Sequence, residues 1–290
     1  MQQSLFDDIP SHAREAASER PRPALDSATP LRFVVLGSGS GGNAVVVESG
    51  GHRLLIDAGF SCRELERRMA LVGIAPSSIG AVVLTHEHED HVRGVDRFAR
   101  RHRISVFATE GTVEGCTLTA EAAARIQTVS AGAMLEVPGF LVETFLIPHD
   151  AREPVGLVVE DEAGRRVGLA ADLGSCSRLA WGRLVELDAM ILETNHNLDM
   201  LRNGPYPWSL KQRVAGRHGH LSNAAAADGV AELLADRLRT VVLYHLSQTN
   251  NLPALAEAVI GERLACEGSS ANVVVTSQDQ PSAWLEIRPH

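Results

Sequence analysis

The sequence predicts an α/β protein in which stacked mixed β-sheets are flanked by helices. Apolar runs typical of strands recur from residue 31 onward, helical patterns lie between blocks of these runs, and hairpin signals such as Glu162-Ala163-Gly164 join neighbouring strands. Strands that come in blocks before and after helices favour sheets that pack on one another with helices outside. The sequence contains no internal repeat at a fixed period.

The predicted strands are short apolar runs, and the predicted helices show apolar residues at helical spacing. Strands are predicted at 31–36, 44–48, 53–56, 81–84, 105–108, 140–147, 155–160, 166–170, 189–192, 241–244, 273–276 and 284–287. Helices are predicted at 62–71, 92–101, 208–215, 222–235 and 253–263. Residues 31–290 are therefore expected to form one folded domain. Residues 1–30 are polar and rich in Pro, Ala and Ser, so a flexible N-terminal arm is expected there.

Length and composition restrict the class of protein. The chain has 290 residues, 27 Lys and Arg, 36 Asp and Glu, and a formal net charge of −9. Hydrophobic residues make up 44% and charged residues 22%, which excludes a wholly disordered, collagen-like or coiled-coil protein. The acidic balance argues against binding nucleic acid through overall charge, but it leaves a local basic groove open.

The sequence gives no sign of a membrane span or an export signal. No run approaches the ~18 consecutive apolar residues that a membrane helix needs, so a cytoplasmic protein that does not contact the membrane is expected. The four cysteines are scattered without Cys-x-x-Cys spacing. Neither a disulfide framework nor a thiolate zinc site is therefore predicted.

A glycine-rich segment follows the first predicted strand. Residues 37–42 read Gly-Ser-Gly-Ser-Gly-Gly, which formally satisfies the Gly-x-Gly-x-x-Gly pattern of dinucleotide-binding proteins. That pattern requires a helix after the glycines, whereas the residues that follow here are of strand type. We therefore interpret the segment as a turn between two strands.

The strongest chemical signal lies between the predicted strand 81–84 and the predicted helix 92–101. Residues 85–91 read Thr-His-Glu-His-Glu-Asp-His. His86 and His88 are two residues apart, so in extended backbone both imidazoles leave the same side of the chain, while Asp90 and His91 stand at the entrance of the helix. Three histidines and an aspartate this close together are typical of a metal site that holds two adjacent cations.

Four ligands in one loop cannot complete two coordination spheres, so further ligands are expected at other strand ends. His149, Asp172 and His245 each lie just beyond a predicted strand. Taken singly, each is equally compatible with a buried histidine or a turn aspartate. Asp57 also ends a strand, and we expect its carboxylate to orient a ligand histidine without contacting the ion.

The ordered set Asp57, His86-x-His88-x-Asp90-His91, His149, Asp172 and His245 resembles the five motifs of the metallo-β-lactamase superfamily, from about residue 31 to the C-terminus. The resemblance implies a four-layer αββα sandwich, with two mixed sheets flanked by helices, and a two-metal site. It implies that His86, His88 and His149 hold the first ion, that Asp90, His91 and His245 hold the second, and that Asp172 bridges them.

Longer phrases resemble one subgroup of this superfamily, the YycJ/WalJ-type, which is described as exonuclease-like. They are LGSGSGGN (36–43), HDAREPVG (149–156), ETNHNLDML (193–201), YPWSLKQR (206–213), GHLSN (219–223) and HLSQTNN (245–251). This chain departs from the subgroup at Gly42, where serine is frequent. The resemblance implies a DNA exonuclease that acts in repair or replication.

The expected chemistry is hydrolysis of phosphodiester bonds with two divalent ions, because such an ion pair activates water and stabilises both the attacked and the leaving oxygen. Zinc fits the His/Asp donor set best, and manganese or iron also accepts it. A hydrolase of small substrates, such as a thioester, lactone, cyclic phosphodiester or β-lactam, is the alternative, since the same ion pair attacks carbonyls. A binding module without catalysis is a second alternative.

Several residues near the expected site could contact phosphate or transfer protons. Asp90 and Asp172, among the ligands, are expected to take part in catalysis together with His196 and His220. Substrate contacts are expected from Ser222, Asn223, Ser247, Asn250 and Asn251. Residues 220–223 could equally well cap the helix that follows them. Residues 247–251 could equally well form a simple turn.

Two basic regions are candidates for a nucleic-acid surface. Arg93, Arg97, Arg100 and Arg101 share one face of a predicted helix, although a solvated face is the simpler interpretation. A second stretch places Lys211, Arg213, Arg217 and His218 close to Tyr206 and Trp208 and is the better candidate for the wall of a polynucleotide groove.

The N-terminal residues Gln2-Gln3-Ser4-Leu5-Phe6 are similar to the short peptides by which bacterial replication and repair proteins bind the DNA sliding clamp. An exposed Leu-Phe pair in a flexible arm is the kind of anchor that fills an apolar pocket. A chance match is the alternative, since the motif is only five residues long. The oligomeric state is not determined by the sequence.

Overall fold

The structure, a computed structural model, describes residues 29–235 and 237–288. The strands in this part of the chain are β1 (Leu31–Gly37), β2 (Ala44–Ser49), β3 (His52–Ile56), β4 (Ala81–Val83), β5 (Ser105–Thr109), β6 (Ile126–Val129), β7 (Met134–Val137), β8 (Phe140–Leu146), β9 (Val155–Asp161), β10 (Arg166–Ala170), β11 (Ala189–Glu193), β12 (Thr240–Tyr244), β13 (Asn272–Val275) and β14 (Leu285–Ile287). They form two seven-stranded sheets. The first sheet has the order β14-β1-β2-β3-β4-β5-β6 and the second has the order β13-β12-β11-β10-β9-β8-β7.

The helices of the described residues lie in the connections between strands. They are α1 (Cys62–Leu71), α2 (Glu89–Val92), α3 (Val95–His102), α4 (Glu110–Gly115), α5 (Ala120–Ala123), α6 (Arg178–Trp181), α7 (Leu198–Asn203), α8 (Trp208–Val214), α9 (Asn223–Leu233) and α10 (Pro253–Cys266), with a 3₁₀ turn at Pro76–Ser78. None of these helices is long and apolar enough to cross a membrane.

Both sheets are mixed. In the first, β1, β2 and β3 pair antiparallel, whereas β3 to β6 pair parallel. In the second, β7 to β10 pair antiparallel and β10 to β13 pair parallel. Parallel strands bring their carboxyl ends to a common edge, where α/β proteins place their functional side chains.

Three apolar layers separate the two sheets and the helices. Strand β1 shows why: Phe33 packs between the sheets, while its neighbour Val34 packs against the helices outside the first sheet. Side chains alternate along a strand, so a strand with both faces buried is apolar throughout. The outer layers bury Phe98 of α3 against the first sheet and Trp181 of α6 against the second. The result is the predicted four-layer αββα sandwich.

Some predicted elements differ from the observed ones. Strands β6 and β7 were not predicted, because each lies at the edge of a sheet, is only four residues long and exposes two of its four side chains. The predicted helix 92–101 is observed as α3, which begins at Val95, and a separate short helix, α2, precedes it. They are separated at Gly94, where a Cβ atom would lie 2.2 Å from the carbonyl oxygen of Phe60. The two segments of the chain approach so closely here that only glycine fits between α2 and α3.

The glycine-rich segment connects two antiparallel neighbours, β1 and β2, as predicted. Asn43 closes this turn: its side-chain oxygen accepts from the Gly39 N–H at 2.9 Å, and its amide nitrogen donates to the Gly39 carbonyl at 3.1 Å. The predicted arm lies outside the described residues up to position 28, and so does the Gln2–Phe6 motif. The expectations for both remain predictions.

Candidate metal centre

The predicted ligands converge where strands of both sheets end. His86, His88, Asp90 and His91 follow β4 of the first sheet, while Asp172 and His245 follow β10 and β12 of the second. His149 follows β8. Because the two sheets face each other, the ends of these strands form opposite walls of one site.

The first group consists of His86, His88 and His149. One ring nitrogen from each lies within 4.8 Å of the others. The Nε2 atom of His149 lies 3.2 Å from Nδ1 of His88, while Nδ1 of His149 lies 3.2 Å from the carbonyl oxygen of Gly219, to which it can donate. That main-chain contact would leave Nε2 of His149 free to bind an ion.

The second group consists of Asp90, His91 and His245. The Oδ2 atom of Asp90 lies 3.6 Å from Nε2 of His91 and 3.3 Å from Nε2 of His245. The loop that carries Asp90 is fixed by a close backbone contact, since the Asn43 N–H donates to the Asp90 carbonyl at 2.8 Å. A Cβ atom at Gly59 would lie 1.7 Å from that same carbonyl oxygen, so only glycine fits there.

Asp172 lies between the groups. Its Oδ2 atom is 2.8 Å from Nε2 of His91, and its Oδ1 atom is 2.8 Å from Nδ1 of His245. It also forms a compact set of ligand atoms with His86 and His91. Burial by itself would raise the pKa of Asp172, but His245 and His91 hold that pKa well below its ordinary value. The carboxylate is therefore ionised and lies close to possible ligand atoms of both groups.

Asp57 contacts the His91 ring at Nδ1, the ring nitrogen that does not face the site. Its Oδ2 atom lies 2.8 Å from Nδ1 of His91, and its Oδ1 atom accepts from the Thr85 N–H at 2.8 Å. A carboxylate on Nδ1 fixes the ring so that Nε2 faces the site, which is the usual support for a ligand histidine.

Three residues of the site have left-handed backbone. The φ angles are +59° for Asp57, +53° for Asp172 and +56° for His245. Each lies at or just after the end of a strand, where the chain must turn sharply to bring the side chain into the site. Left-handed backbone is uncommon for residues other than glycine, and it is found preferentially at functional sites.

The donor set fits a divalent metal. His86 is fully buried, and its Nε2 atom has no hydrogen-bond partner among the described residues. Burial lowers the pKa of His86 well below its ordinary value, and the neighbouring His91 lowers it further, so this ring is neutral and able to ligate. A buried polar atom without a partner is costly unless a ligand satisfies it. Imidazole and carboxylate donors suit zinc, iron and manganese.

Glu193, the last residue of β11, is a further charged residue of the site and was not among the predicted site residues. This side chain is fully buried, and its Oε1 atom lies 2.6 Å from Nδ1 of His220. Its other oxygen accepts from the N–H groups of Leu173 and Leu221 at 2.7 and 3.1 Å. The criterion that selected His149, an ionisable residue at the end of an apolar run, would also have selected Glu193.

His220 lies beside the ligands. Its ring centroid is 5.4 Å from that of His149 and 5.3 Å from that of His245. Burial by itself would lower the pKa of His220, but the charge of Glu193 and the hydrogen bond to it raise that pKa. The side chain is 23% exposed, so its ring reaches the mouth of the site.

Most of the predicted substrate contacts have bonding partners within the protein. Ser222 caps α9 by accepting from the Ala225 N–H at 3.2 Å, and Ser247 accepts from the Asn250 N–H at 3.1 Å. The side chains of Asn223 and Asn251 bond to each other at 2.8 and 2.9 Å. These bonds hold loops in place, so a role for these four side chains in binding substrate remains a prediction.

His196 and Asn250 differ from the other predicted contacts. Each is 1% exposed, and the side-chain polar atoms of both have no hydrogen-bond partner among the described residues. Burial lowers the pKa of His196 to about 4, so the ring is neutral. Neutral, unpartnered groups are compatible with the predicted contact to substrate, which likewise remains a prediction.

Comparisons with known proteins agree with this geometry. Residues 52–246 match the family described as "Beta-lactamase superfamily domain". The chain is 32% identical over 243 residues to "Exodeoxyribonuclease YycJ" of Bacillus anthracis, covering 82% of this chain and 90% of that protein. It is 30% identical over 267 residues to "Exodeoxyribonuclease WalJ" of Streptococcus pneumoniae, covering 89% of this chain and 98% of that protein.

The fold of the chain is also similar to that of a solved structure. The crystal structure of the metallo-beta-lactamase fold protein YhfI from Bacillus subtilis superimposes with a TM-score of 0.66 at 17% sequence identity, covering 89% of this chain and 100% of that one. The strand order, the position of the ligands at the strand ends and the identity to these relatives agree with one another. The chain therefore belongs to the metallo-β-lactamase superfamily and, within it, to the group of the YycJ/WalJ-type exonucleases.

Proposed function

We propose that this protein is a DNA exonuclease that uses two divalent metal ions and acts in DNA repair or replication. Its family makes it a metal-dependent hydrolase of phosphodiester bonds. The observation that carries the finer proposal is the position of Asp172, whose carboxylate lies in one set of possible ligand atoms with His86 of the first group and His91 of the second. The names of the relatives, both exodeoxyribonucleases, support DNA as the substrate.

In this proposal the first ion is held by His86, His88 and His149, and the second by Asp90, His91 and His245. Asp172 contacts both. When bound, the ions supply a nucleophile at neutral pH and stabilise charge on the attacked phosphate and on the leaving oxygen. We propose zinc as the resident metal, with manganese and iron as substitutes that the same donors accept.

The protein's own groups orient the ligands. Asp57 accepts the Nδ1 proton of His91, and the Gly219 carbonyl accepts that of His149. Both contacts leave the Nε2 lone pair of the ring directed at the site. Such outer contacts typically change metal affinity by about 10- to 100-fold, so they are part of the binding site even though they do not touch the ion.

His220 is the proposed proton donor to the leaving oxygen. Glu193 accepts the Nδ1 proton at 2.6 Å and stabilises the charged ring, which leaves the Nε2 proton available at the mouth of the site. Donation to the leaving oxygen breaks the bond between Nε2 and its proton, and the resulting neutral ring stays bonded to Glu193. General-acid catalysis of this kind contributes about 10²- to 10⁴-fold in rate.

The N-terminal motif Gln2–Phe6 extends the proposal to a partner. It lies outside the described residues, so its support is the sequence alone. We propose that Leu5 and Phe6 anchor the protein to the DNA sliding clamp. A peptide of residues 1–12 should then bind the clamp, and Leu5→Ala or Phe6→Ala in the full chain should remove that binding. A peptide that does not bind would contradict the proposal.

The test of function uses purified protein with Zn²⁺ or Mn²⁺ and end-labelled single- and double-stranded DNA of defined termini. Bis-p-nitrophenyl phosphate and a thioester serve as small substrates, and His88→Ala is the inactive control. Stepwise loss of nucleotides from one DNA end, absent in His88→Ala, is the expected result. Hydrolysis of the small esters without any digestion of DNA would overturn the proposal in favour of a small-molecule hydrolase.

A further inference from the structure

One surface next to the metal centre has a charge opposite to that of the whole chain. Residues 198–219, which we call the basic segment, connect β11 to α9 and contain α7 and α8. The basic segment has one acidic side chain, Asp199, and four basic ones, so its net charge is +3, whereas the whole chain has −9. The basic side chains are Arg202, Lys211, Arg213 and Arg217.

The basic segment is attached directly to the site. The carbonyl of Val214 accepts from the His220 N–H at 2.8 Å, and the carbonyl of Gly219 lies 3.2 Å from Nδ1 of His149. In addition, Nε of Arg213 donates to Asp150, the residue after His149, at 2.5 Å. The basic segment is therefore one rim of the site mouth, and its position is coupled to the proposed proton donor and to a ligand.

An aromatic ring on this rim is exposed to solvent. Trp208 is the first residue of α8 and is 72% exposed. The other two tryptophans donate to main-chain carbonyls: Trp181, which is buried, to Gly229, and Trp284 to Val72. Helix α8 rises about 1.5 Å per residue, so Trp208 lies about 9 Å along the helix axis from Val214, whose carbonyl contacts His220.

We propose that the basic segment is the surface on which a single-stranded DNA substrate lies as it enters the metal centre, with a base stacked on Trp208 and phosphates bound by Lys211, Arg217 and Arg202. This inference rests on the proposed nuclease function. Sequence-tolerant binding of single strands combines cations that follow the backbone with aromatic rings that stack on bases. In an acidic protein, a local cluster of cations is required to offset repulsion of the DNA, and the cluster lies on the rim of the catalytic site.

Binding is tested first, without turnover. The intrinsic tryptophan fluorescence of the metal-loaded full chain is titrated with a single-stranded phosphorothioate oligothymidylate of 12 nucleotides. Stacking on Trp208 should quench the fluorescence, and Trp208→Phe should abolish the quench while Kd, measured by anisotropy of labelled DNA, stays close to wild type. Trp208→Ala should raise that Kd about tenfold. Leu71→Ala, which removes a large apolar side chain that is 61% exposed at the end of α1, is the matched control.

The phosphate contacts are tested by salt. Each phosphate contact to a single strand contributes about 0.7 to the slope of log Kd against log salt concentration, so Arg217→Ala should lower the slope by about that amount. Arg288→Ala, whose side chain is 83% exposed beside β14, should leave the slope unchanged. In steady state, Trp208→Ala should lower the ratio of kcat/KM for the DNA to kcat/KM for bis-p-nitrophenyl phosphate at least fivefold, mainly through KM.

The outcomes separate the inference from the function. If the wild-type protein digests DNA but Trp208→Ala and Arg217→Ala bind it as tightly as wild type, the DNA path lies elsewhere, and only the inference is overturned. If the wild-type protein hydrolyses bis-p-nitrophenyl phosphate but neither binds nor digests the oligonucleotide, the proposed function is overturned, and the inference with it.

Discussion

Asp57→Asn gives the sharpest test of how the proposed second ion would be held. In the native site, Oδ1 of Asp57 accepts from the Thr85 N–H and Oδ2 accepts from Nδ1 of His91, each at 2.8 Å. An asparagine of the same shape keeps one oxygen for Thr85 and places an NH₂ group opposite Nδ1. That group donates to the ring, so the ring proton moves to Nε2, the atom that faces the site. His91 is then a poor ligand.

The expected magnitude follows from this tautomer change. Loss of an outer contact to a ligand histidine lowers metal affinity about 10- to 100-fold, which corresponds to about 1.4 to 2.7 kcal/mol. Asparagine also tolerates the left-handed backbone at this position, where φ is +59°. Asp57→Ala would instead remove the acceptor of three buried donors, the Thr85 N–H, the Thr85 hydroxyl and Nδ1 of His91. An unsatisfied buried donor costs about 1 to 3 kcal/mol, so loss of metal could then not be distinguished from unfolding.

The assay is a competition titration of metal-free protein with zinc and a chromogenic chelator, with the metal content checked by mass spectrometry. Two sites should be resolved, and Asp57→Asn should weaken one of them. Asp96→Asn is a matched control, because Asp96 likewise accepts from the N–H and hydroxyl of a threonine, Thr119, at 2.8 and 2.7 Å, but on α3. Wild-type affinity at both sites of Asp57→Asn, or equal weakening of both, would refute this account of His91.

Three further predictions concern the same site. Asp172→Ala removes the carboxylate shared by the two groups, so turnover should fall below detection. The circular dichroism spectrum should be retained. Measurable hydrolysis would contradict the bridging role. Glu193→Gln should lower kcat on DNA about 10²-fold through His220, and should lower it much less on a substrate with a p-nitrophenolate leaving group, which does not need a proton; equal losses on both would exclude the proton-donor role. Gly59→Ala places a Cβ atom 1.7 Å from the Asp90 carbonyl, so thermal melting should show destabilisation of about 1 to 3 kcal/mol or more. An unchanged melting temperature would show that the backbone can move away from the added Cβ atom with little loss of stability.

The fold was predictable where the apolar pattern was continuous. Strands with both faces buried, such as β1 and β12, are apolar at nearly every position, and such runs recurred with helices between them. The edge strands β6 and β7 gave no such signal, because half of their side chains face solvent. The break between α2 and α3 was not predictable either, since it arises from contact of Gly94 with Phe60, thirty-four residues away in sequence.

The sites of chemistry were predictable to the extent that they follow strands. His149, Asp172 and His245 each came directly after an apolar run, and the structure brings these residues together with the cluster at 86–91. Glu193 met the same criterion. The residues around it were used only for the resemblance to the subgroup, and that resemblance gave Glu193 no role. The role proposed for Glu193 depends on its distance to His220, which lies twenty-seven residues later in the chain.

The sequence alone predicted the candidate ligands and their position at strand ends, because residue type and the end of an apolar run are both local properties. Tertiary structure alone decided how they combine. Two sheets had to pack face to face before Asp172 could contact His91 and His245 at once, and before the basic segment could lie on the rim beside His149. Distances between atoms far apart in sequence are determined by the packing of the whole core. Residue type and spacing along the chain do not specify them.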